Sequence, residues 1–183
     1  MVLIDDNSTT LALGANMPHF ILPDTNGQMV NSETIDSDVL VVIFTCNHCP
    51  YAQAYEDRFV AMANTFKNDS VQLVLISSND ATDYPEDSFE AMQQKAQQQG
   101  YTFPYCYDES QEVAHSFGAL CTPHCFVFNQ QRALAYKGRV DDNWRDTNAV
   151  EDASLQNAIT DIVAGNTPTN PEVNAIGCSI KWK

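Results

Sequence analysis

Basic residues are scarce in this chain. Nine lysine and arginine residues stand against 24 aspartate and glutamate residues, which gives a formal net charge of −15. A charge of this sign repels phosphate backbones and anionic lipid surfaces. Nucleic acid and membranes are therefore poor candidate partners, and neutral or basic partners are favoured. A simple contribution of the acidic residues to solubility explains the charge equally well.

Long apolar runs are also lacking. No stretch approaches the ~20 apolar residues of a membrane span. The N-terminal residues Met-Val-Leu-Ile-Asp-Asp-Asn have neither the basic start nor the apolar run of a signal peptide. We therefore expect a cytoplasmic protein. At 183 residues the chain suits one domain with a substantial core, so we expect a single domain over 1–183, with an N-terminal arm at 1–17 and a C-terminal tail at 166–183.

Residues 39–59 are the most informative stretch. The β-branched and aromatic run over 39–45 predicts a fully buried central strand. Apolar residues at helical spacing over 51–66 predict an amphipathic helix. Cys46 and Cys49 stand between them, at a strand-to-helix junction. Unsatisfied backbone N–H groups and the helix dipole favour a thiolate there, and the thiolate is the nucleophile of disulfide exchange.

The remaining pattern completes a known arrangement of helices and strands. The order of β-α-β unit, helix, hairpin and final helix is that of the thioredoxin fold. We expect an α/β protein whose central mixed β-sheet is flanked by helices, with an N-terminal β-hairpin and an insertion after the second buried strand. The expected segments are a hairpin at 20–30, strands at 71–77, 105–107, 125–129 and 133–140, helices at 88–99, 110–117 and 152–164, and a polar loop at 79–87.

The C-x-x-C spacing assigns different roles to its two cysteines. We expect Cys46 to be the exposed attacking thiol at the start of the helix and Cys49 to be the more buried resolving thiol. This spacing lets Cys49 attack a mixed disulfide on Cys46 intramolecularly. Asn47 and His48 lie between them and tune the redox potential. An imidazolium at His48 would stabilise a Cys46 thiolate; the alternative is that His48 points to solvent.

Thr122 and Pro123 follow a short helix and precede a strand. Thioredoxin-like proteins place a cis-proline loop facing the C-x-x-C at this point. Such a loop presents the backbone of the preceding residue to an extended substrate peptide, whereas an ordinary trans turn proline would not. Cys121 is a possible third redox thiol. Cys178 either reaches back as a resolving thiol or anchors the tail.

Cys106 and Cys125 lie in expected strands, where we expect them to pack as small apolar residues. A structural disulfide framework is not expected in a cytosolic chain of this length.

Several segments together resemble one family along nearly the whole chain. The chain is similar to the thioredoxin-like superfamily, and most of all to a bacterial peroxiredoxin-like (AhpC/TSA, redoxin) subgroup. The resemblance implies that Cys49-Pro50 occupies the place of the peroxidatic Cys-Pro. Peroxiredoxins also have a threonine and a proline upstream, where this chain has Cys46 and Val42, so the resemblance favours dithiol exchange over the usual peroxidase chemistry. The segments that carry it are 17–24, 44–51, 121–123, 137–144 and 176–182.

These observations support one leading function and two alternatives. The leading hypothesis is a thiol–disulfide oxidoreductase without a cofactor, acting on protein or small-molecule disulfides or thiols and reset by a thioredoxin-type reductant. The alternatives are a thiol peroxidase and a zinc or copper(I) protein. In the leading hypothesis the catalytic residues are Cys46, Cys49, His48, Thr122 and Pro123. In the metal-binding alternative the ligands are Cys46, Cys49, His48, Cys121 and His124.

A substrate groove is expected beside the cysteines, lined by Asn47, Asp142 and Trp144. Asp142 and Trp144 follow the last strand of the sheet, near the end that carries the C-x-x-C. A structural interpretation is slightly favoured for this segment, in which Trp144 holds the C-terminal tail in place.

Overall fold

Ten strands and four α-helices are found in the part of the chain that the structure, a computed structural model, describes: residues 2–3 and 10–183. In chain order they are β1 (Val2–Leu3), β2 (Ile21–Pro23), β3 (Met29–Asn31), β4 (Val39–Phe44), α1 (Pro50–Thr65), β5 (Val71–Ser77), α2 (Phe89–Gln99), β6 (Tyr105–Tyr107), α3 (Glu112–Phe117), β7 (Cys121–Thr122), β8 (His124–Phe128), β9 (Leu134–Gly138), α4 (Ser154–Val163) and β10 (Ile176–Ser179).

A five-stranded mixed sheet forms the centre of the protein, in the order β6-β5-β4-β8-β9. Strands β4, β5 and β6 are parallel, whereas β8 and β9 run antiparallel to β4 and to each other. Strands β2 and β3 form the separate N-terminal hairpin. The expected α/β class, a central mixed sheet flanked by helices, is confirmed.

Both faces of the sheet are covered by apolar side chains, which is why β4 reads as an unbroken apolar run. Alternate residues of β4 point to opposite faces. Val41 and Ile43 pack against α1, α2 and α4, with Phe59 and Ile159 among their neighbours. Leu40, Val42 and Phe44 pack against α3 and the hairpin on the other face. All six residues of β4 are buried, so the strand end that leads into the cysteines is held rigidly.

A second, three-stranded sheet has the order β1-β10-β7 and was not expected from the sequence. Its strand β10 lies in the segment expected to be a loop-like tail. Cys178 and Ser179 of β10 pair antiparallel with Thr122 and Cys121 of β7. The close approach requires glycine at 177, because a Cβ there would stand 2.2 Å from the carbonyl oxygen of Thr122.

The expected N-terminal arm is attached to the main sheet where the structure describes it. The backbone N–H groups of Leu11, Gly14 and Met17 donate hydrogen bonds to carbonyl groups of Phe117, Leu134 and Arg132. Residues 1 and 4–9 lie outside the described residues. None of the described helices is long and apolar enough to cross a membrane, and the cytoplasmic location stays a prediction.

Candidate active site

Helix α1 begins four residues later than the start at Cys46 that the sequence predicts. Its first residue is Pro50, and Cys49 is the N-cap, with extended dihedrals of φ −72° and ψ 121°. Proline suits the first helical position because it lacks an N–H group and has a preset φ, and it disfavours helical dihedrals in the residue before it. The expectation that Cys46 starts the helix is therefore wrong. It is the Cys49 sulfur that lies at the helix N-terminus.

Both sulfurs of the C-x-x-C are buried. Cys46 is 3% exposed and Cys49 is 0% exposed, so the expectation of an exposed attacking thiol at Cys46 is wrong as well. Residues Ala52, Tyr51 and Cys178 pack against the pair. Of the three cysteines in this cluster, Cys178 alone is partly accessible to solvent.

Cys46 and Cys49 pack in one buried cluster, and hydrogen bonding between their side chains separates the pKa values of the two thiols. The hydrogen bond from Cys46 is the main cause that lowers the pKa of Cys49, with further donation from Cys178 and from the backbone N–H of Ala52. The same bond raises the pKa of Cys46 far above its ordinary value, together with burial and the carboxylate of Asp87. The sequence assigned the thiolate to Cys46, whereas the structure favours it at Cys49.

Thr122 contacts both sulfurs. Its hydroxyl oxygen lies 3.3 Å from the Cys46 sulfur, and its carbonyl oxygen lies 3.3 Å from the Cys49 sulfur, where it accepts from Cys49 when that residue is a thiol. The Thr122–Pro123 peptide bond is cis. The expected strand-like pairing of the Thr122 backbone with a substrate peptide is not available, because β10 pairs with it through Cys178.

Cys178 packs against the cysteine pair from this paired strand. Burial, followed by hydrogen bonding to Cys49 and the charge there, raises the pKa of Cys178 to about 11, while Lys181 acts in the opposite direction. Three sulfurs from two distant parts of the chain therefore meet at the N-terminus of α1.

Asp87 is a central residue of the site that sequence reasoning missed. Its side chain is fully buried and accepts hydrogen bonds from the backbone N–H groups of Asn47 and His48, at 2.7 and 3.1 Å, and from the amide of Asn79, at 2.7 Å. It also hydrogen-bonds Nδ1 of His48. The polar loop at 79–87 carries no periodic pattern, so only the fold reveals that its last residue supports the C-x-x-C loop.

Asn47 is a structural brace and does not line a groove. It is 6% exposed, and its amide nitrogen donates to the carbonyl of Glu86 at 2.8 Å. Its amide oxygen accepts from the hydroxyl of Tyr105 at 3.0 Å, and its carbonyl accepts from Gln53 at 2.7 Å. With all of its polar groups engaged inside the protein, Asn47 fixes the shape of the loop between the cysteines.

His48 points neither freely to solvent nor directly at a thiolate. Its ring hydrogen-bonds Asp87 and stacks on Tyr84 with 4.7 Å between ring centroids. Any positive charge on this imidazole is therefore shared with a buried carboxylate. The expected stabilisation of a Cys46 thiolate by His48 is offset, since the Asp87 carboxylate raises the pKa of Cys46.

Trp144 reaches the rim of the site, but Asp142 does not. The Trp144 ring packs on Tyr51 with 4.4 Å between centroids, and Tyr51 in turn contacts the cysteine cluster. The Trp144 carbonyl accepts from Arg58 at 3.3 Å, which holds this segment against α1. Asp142 is exposed on the turn and accepts from the backbone of Glu151.

The other candidate thiols and histidine lie outside the cluster. Cys121 is buried, packs with Ala175, and has its pKa raised by burial to about 12. Burial, with the nearby charge of Lys137, lowers the pKa of His124 to about 3, so this ring is neutral. Cys106 and Cys125 are fully buried in their strands. Burial raises the pKa of all three of these thiols, so none of them is placed for thiolate chemistry at neutral pH.

Of the five metal ligands expected from the sequence, Cys46 and His48 come together. In the described part of the chain, side-chain groups that suit a metal come within 4.8 Å of one another at Cys46, His48 and Asp87. Cysteine, histidine and aspartate are all ligands of zinc. In the structure His48 and Asp87 already hydrogen-bond each other, so both have partners without a metal.

Comparisons with known proteins place this geometry in a family. Residues 13–137 match the model of the AhpC/TSA family. The chain belongs to this family. No curated protein matches it.

Two solved structures are similar to the AhpC/TSA chain over almost its whole length. An uncharacterized conserved protein from Geobacillus kaustophilus has a TM-score of 0.90 at 38% identity, covering 100% of this chain and 97% of that one. A hypothetical protein from Sinorhizobium meliloti 1021 has a TM-score of 0.89 at 34% identity, covering 95% and 96%. The thioredoxin domain of a thiol-disulfide oxidoreductase from Bacteroides vulgatus has a TM-score of 0.60 at 16% identity, covering 70% and 89%, which shows the shared thioredoxin-like fold.

Proposed function

We propose that this protein is a thiol–disulfide oxidoreductase whose redox couple is the Cys46–Cys49 pair. One observation carries the proposal: Cys46 and Cys49 pack together in one buried cluster at the N-terminus of α1, where Cys49 is the N-cap. Two cysteines held together in this way are prepared to form a disulfide. The Thr122–Pro123 loop lies against both sulfurs and shapes the site.

The exchange balances in protons and electrons. The reduced site holds Cys46 as a thiol and Cys49 as a thiolate. A substrate disulfide takes two electrons from them, the Cys46–Cys49 disulfide forms, and the substrate leaves as one thiol and one thiolate. The proton that Cys46 carried passes to the substrate. Protein or small-molecule disulfides are the proposed substrates, and a thioredoxin-type dithiol is the proposed reductant that returns the two electrons.

Peroxide reduction at Cys49 is the second candidate. The observation that favours it is the position of Cys49, directly before Pro50, with its pKa lowered at the helix N-terminus. Attack of this thiolate on peroxide would give a sulfenic acid, which Cys46 would then convert to the same disulfide with release of water. This candidate ranks second because Cys46 and Val42 stand where the family resemblance implies the threonine and the proline of the usual peroxidatic site.

The experiment compares the wild type with Cys46→Ser, Cys49→Ser and the control Cys106→Ala. Cys106 is a buried cysteine of β6 outside the cluster. Each protein is equilibrated in glutathione redox buffers, digested and mapped for disulfides, and assayed for insulin reduction and for peroxide consumption. We expect a Cys46–Cys49 disulfide and insulin reduction in the wild type and in Cys106→Ala, and loss of both in the two serine variants.

Two outcomes would overturn the proposal. The first is a wild-type protein that forms no Cys46–Cys49 disulfide in any buffer. The second is insulin reduction that persists in Cys49→Ser. Rapid peroxide consumption with a sulfenic acid on Cys49, in a protein that does not reduce insulin, would establish the second candidate instead.

A further inference from the structure

Access to the redox pair is the problem that the fold poses. Cys46 and Cys49 are both buried, so direct approach of a protein or small-molecule partner to either sulfur is hindered. Cys178 packs against the pair and is partly exposed. It is thus the one cysteine of the cluster that both packs against the buried pair and is partly exposed.

The position of Cys178 matches that expected for a substrate cysteine. Strand β10 pairs antiparallel with β7 and puts Cys178 opposite Thr122, whose carbonyl lies 3.3 Å from the Cys49 sulfur. This is the pairing by which an extended peptide is added to a sheet. Gly177 allows the two backbones to approach closely, since a Cβ there would stand 2.2 Å from the Thr122 oxygen. The chain therefore supplies its own cysteine at the place where a substrate would bind.

We propose that Cys178 is a relay thiol, which carries the disulfide from the buried Cys46–Cys49 pair to an external dithiol. The proposal rests on the proposed function above and names the route by which the pair is reduced.

The first step is internal. With the pair oxidised, the Cys178 sulfur attacks the Cys49 sulfur and breaks the Cys46–Cys49 bond. A Cys49–Cys178 disulfide forms, and Cys46 leaves and takes up the proton that Cys178 has lost. No electrons enter or leave in this step, and the disulfide now includes the partly exposed Cys178.

The second step brings in the electrons. One thiolate of an external dithiol attacks Cys178, breaks the Cys49–Cys178 bond and forms a mixed disulfide, with Cys49 leaving as a thiolate. The second thiol of the reductant attacks its own sulfur in the mixed disulfide and releases Cys178, which takes up that thiol's proton. The reductant leaves as a disulfide, and its two electrons remain on the protein as the Cys49 thiolate and the Cys178 thiol.

The electrostatics of the site favour the second step, in which Cys49 is the leaving group. A thiol of low pKa leaves more easily, and the pKa of Cys49 is the lowered one. Loss of the Cys49 charge on oxidation removes a hydrogen-bond acceptor and a charge that raise the pKa of Cys178. Cys178 is therefore more reactive when the pair is oxidised than when it is reduced. Lys181, which acts to lower the pKa of Cys178, supports the attacking thiolate.

The kinetic test uses Cys178→Ser beside the control Ser179→Ala, an exposed neighbour on the same strand. Each oxidised protein is mixed with dithiothreitol, quenched with acid, alkylated and analysed by mass spectrometry over time. We expect the Cys46–Cys49 disulfide to be reduced at least about tenfold more slowly in Cys178→Ser than in the wild type, because direct attack on the buried sulfurs is hindered. Ser179→Ala should match the wild type. Equal rates in Cys178→Ser and the wild type would overturn the relay.

A trapping test examines the intermediate. Cys46→Ser stops the exchange at the Cys49–Cys178 stage, so mild oxidation with diamide should give that disulfide, identified by peptide mapping. A Cys46→Ser protein in which Cys49 and Cys178 stay unlinked would overturn the relay. Failure of the underlying function is a different result: there the wild type would form no Cys46–Cys49 disulfide, whereas failure of the relay alone leaves that disulfide intact and reducible without Cys178.

Discussion

The assignment of the thiolate to Cys49 gives a prediction that can be worked out quantitatively. Replacing Cys46 by alanine removes the hydrogen bond that is the main cause of the lowered pKa of Cys49. A hydrogen bond to a charged group contributes about 1.5–3 kcal/mol, and one pKa unit corresponds to about 1.4 kcal/mol. Cys46→Ala should therefore raise the pKa of Cys49 by about one to two units. Cys46→Ser keeps a hydroxyl donor and should raise it less.

The assay is the ultraviolet absorbance of the thiolate as a function of pH, which does not require a reagent to reach the buried Cys49 sulfur. The reduced wild type should titrate with a midpoint well below that of an ordinary thiol, and Cys49→Ala should lose this low-pH titration. The reasoning is refuted if the low-pH thiolate survives in Cys49→Ala and disappears in Cys46→Ala.

Three further predictions follow from the same geometry. Because the pKa of Cys49 is lowered in the folded state, the unfolded state binds one more proton between that pKa and about 8.5. The unfolding free energy of the reduced protein should therefore rise with pH in this window, by up to about 1.4 kcal/mol per pH unit. Urea titrations should show this rise in the wild type and its loss in Cys49→Ala. Asp87→Asn replaces the oxygen that accepts from the Asn79 amide by a second donor, so it should lower the unfolding free energy by about 1–3 kcal/mol in urea titrations. It should also speed alkylation of Cys46, whose pKa the carboxylate raises. Gly177→Ala should cost about 1–3 kcal/mol and expose Cys178 to alkylation, because β10 must move away from Thr122; an unchanged urea midpoint would contradict it.

The fold was largely predictable because its central elements have strong periodic patterns. The run Val39–Phe44 reads as a buried strand since both faces of β4 are covered, and the helix after it has one apolar face. The start of α1 was displaced by a few residues. The signal that corrects it is Pro50, a favoured first residue of helices, which makes the preceding cysteine the N-cap.

The missing parts of the site come from short segments held by tertiary contacts. Strand β7 has two residues and β10 has four, too few for a periodic pattern to show. Their pairing depends on the backbone approach at Gly177, which connects parts of the chain that are far apart in sequence. Asp87 ends a loop without a pattern, and its burial depends on four donors that only the folded chain brings together. Sequence identified the cysteines, but the folded structure determines which of them is ionised.

The support of the Cys46–Cys49 loop by Asp87 has a consequence for protein engineering. Asn47 and His48 keep their orientation because a carboxylate about forty positions further along the chain accepts their N–H groups. Grafting the tetrapeptide Cys-Asn-His-Cys onto another scaffold would transfer the sequence without the carboxylate that orients it. A graft that is meant to reproduce the reactivity must also include residues 79–87.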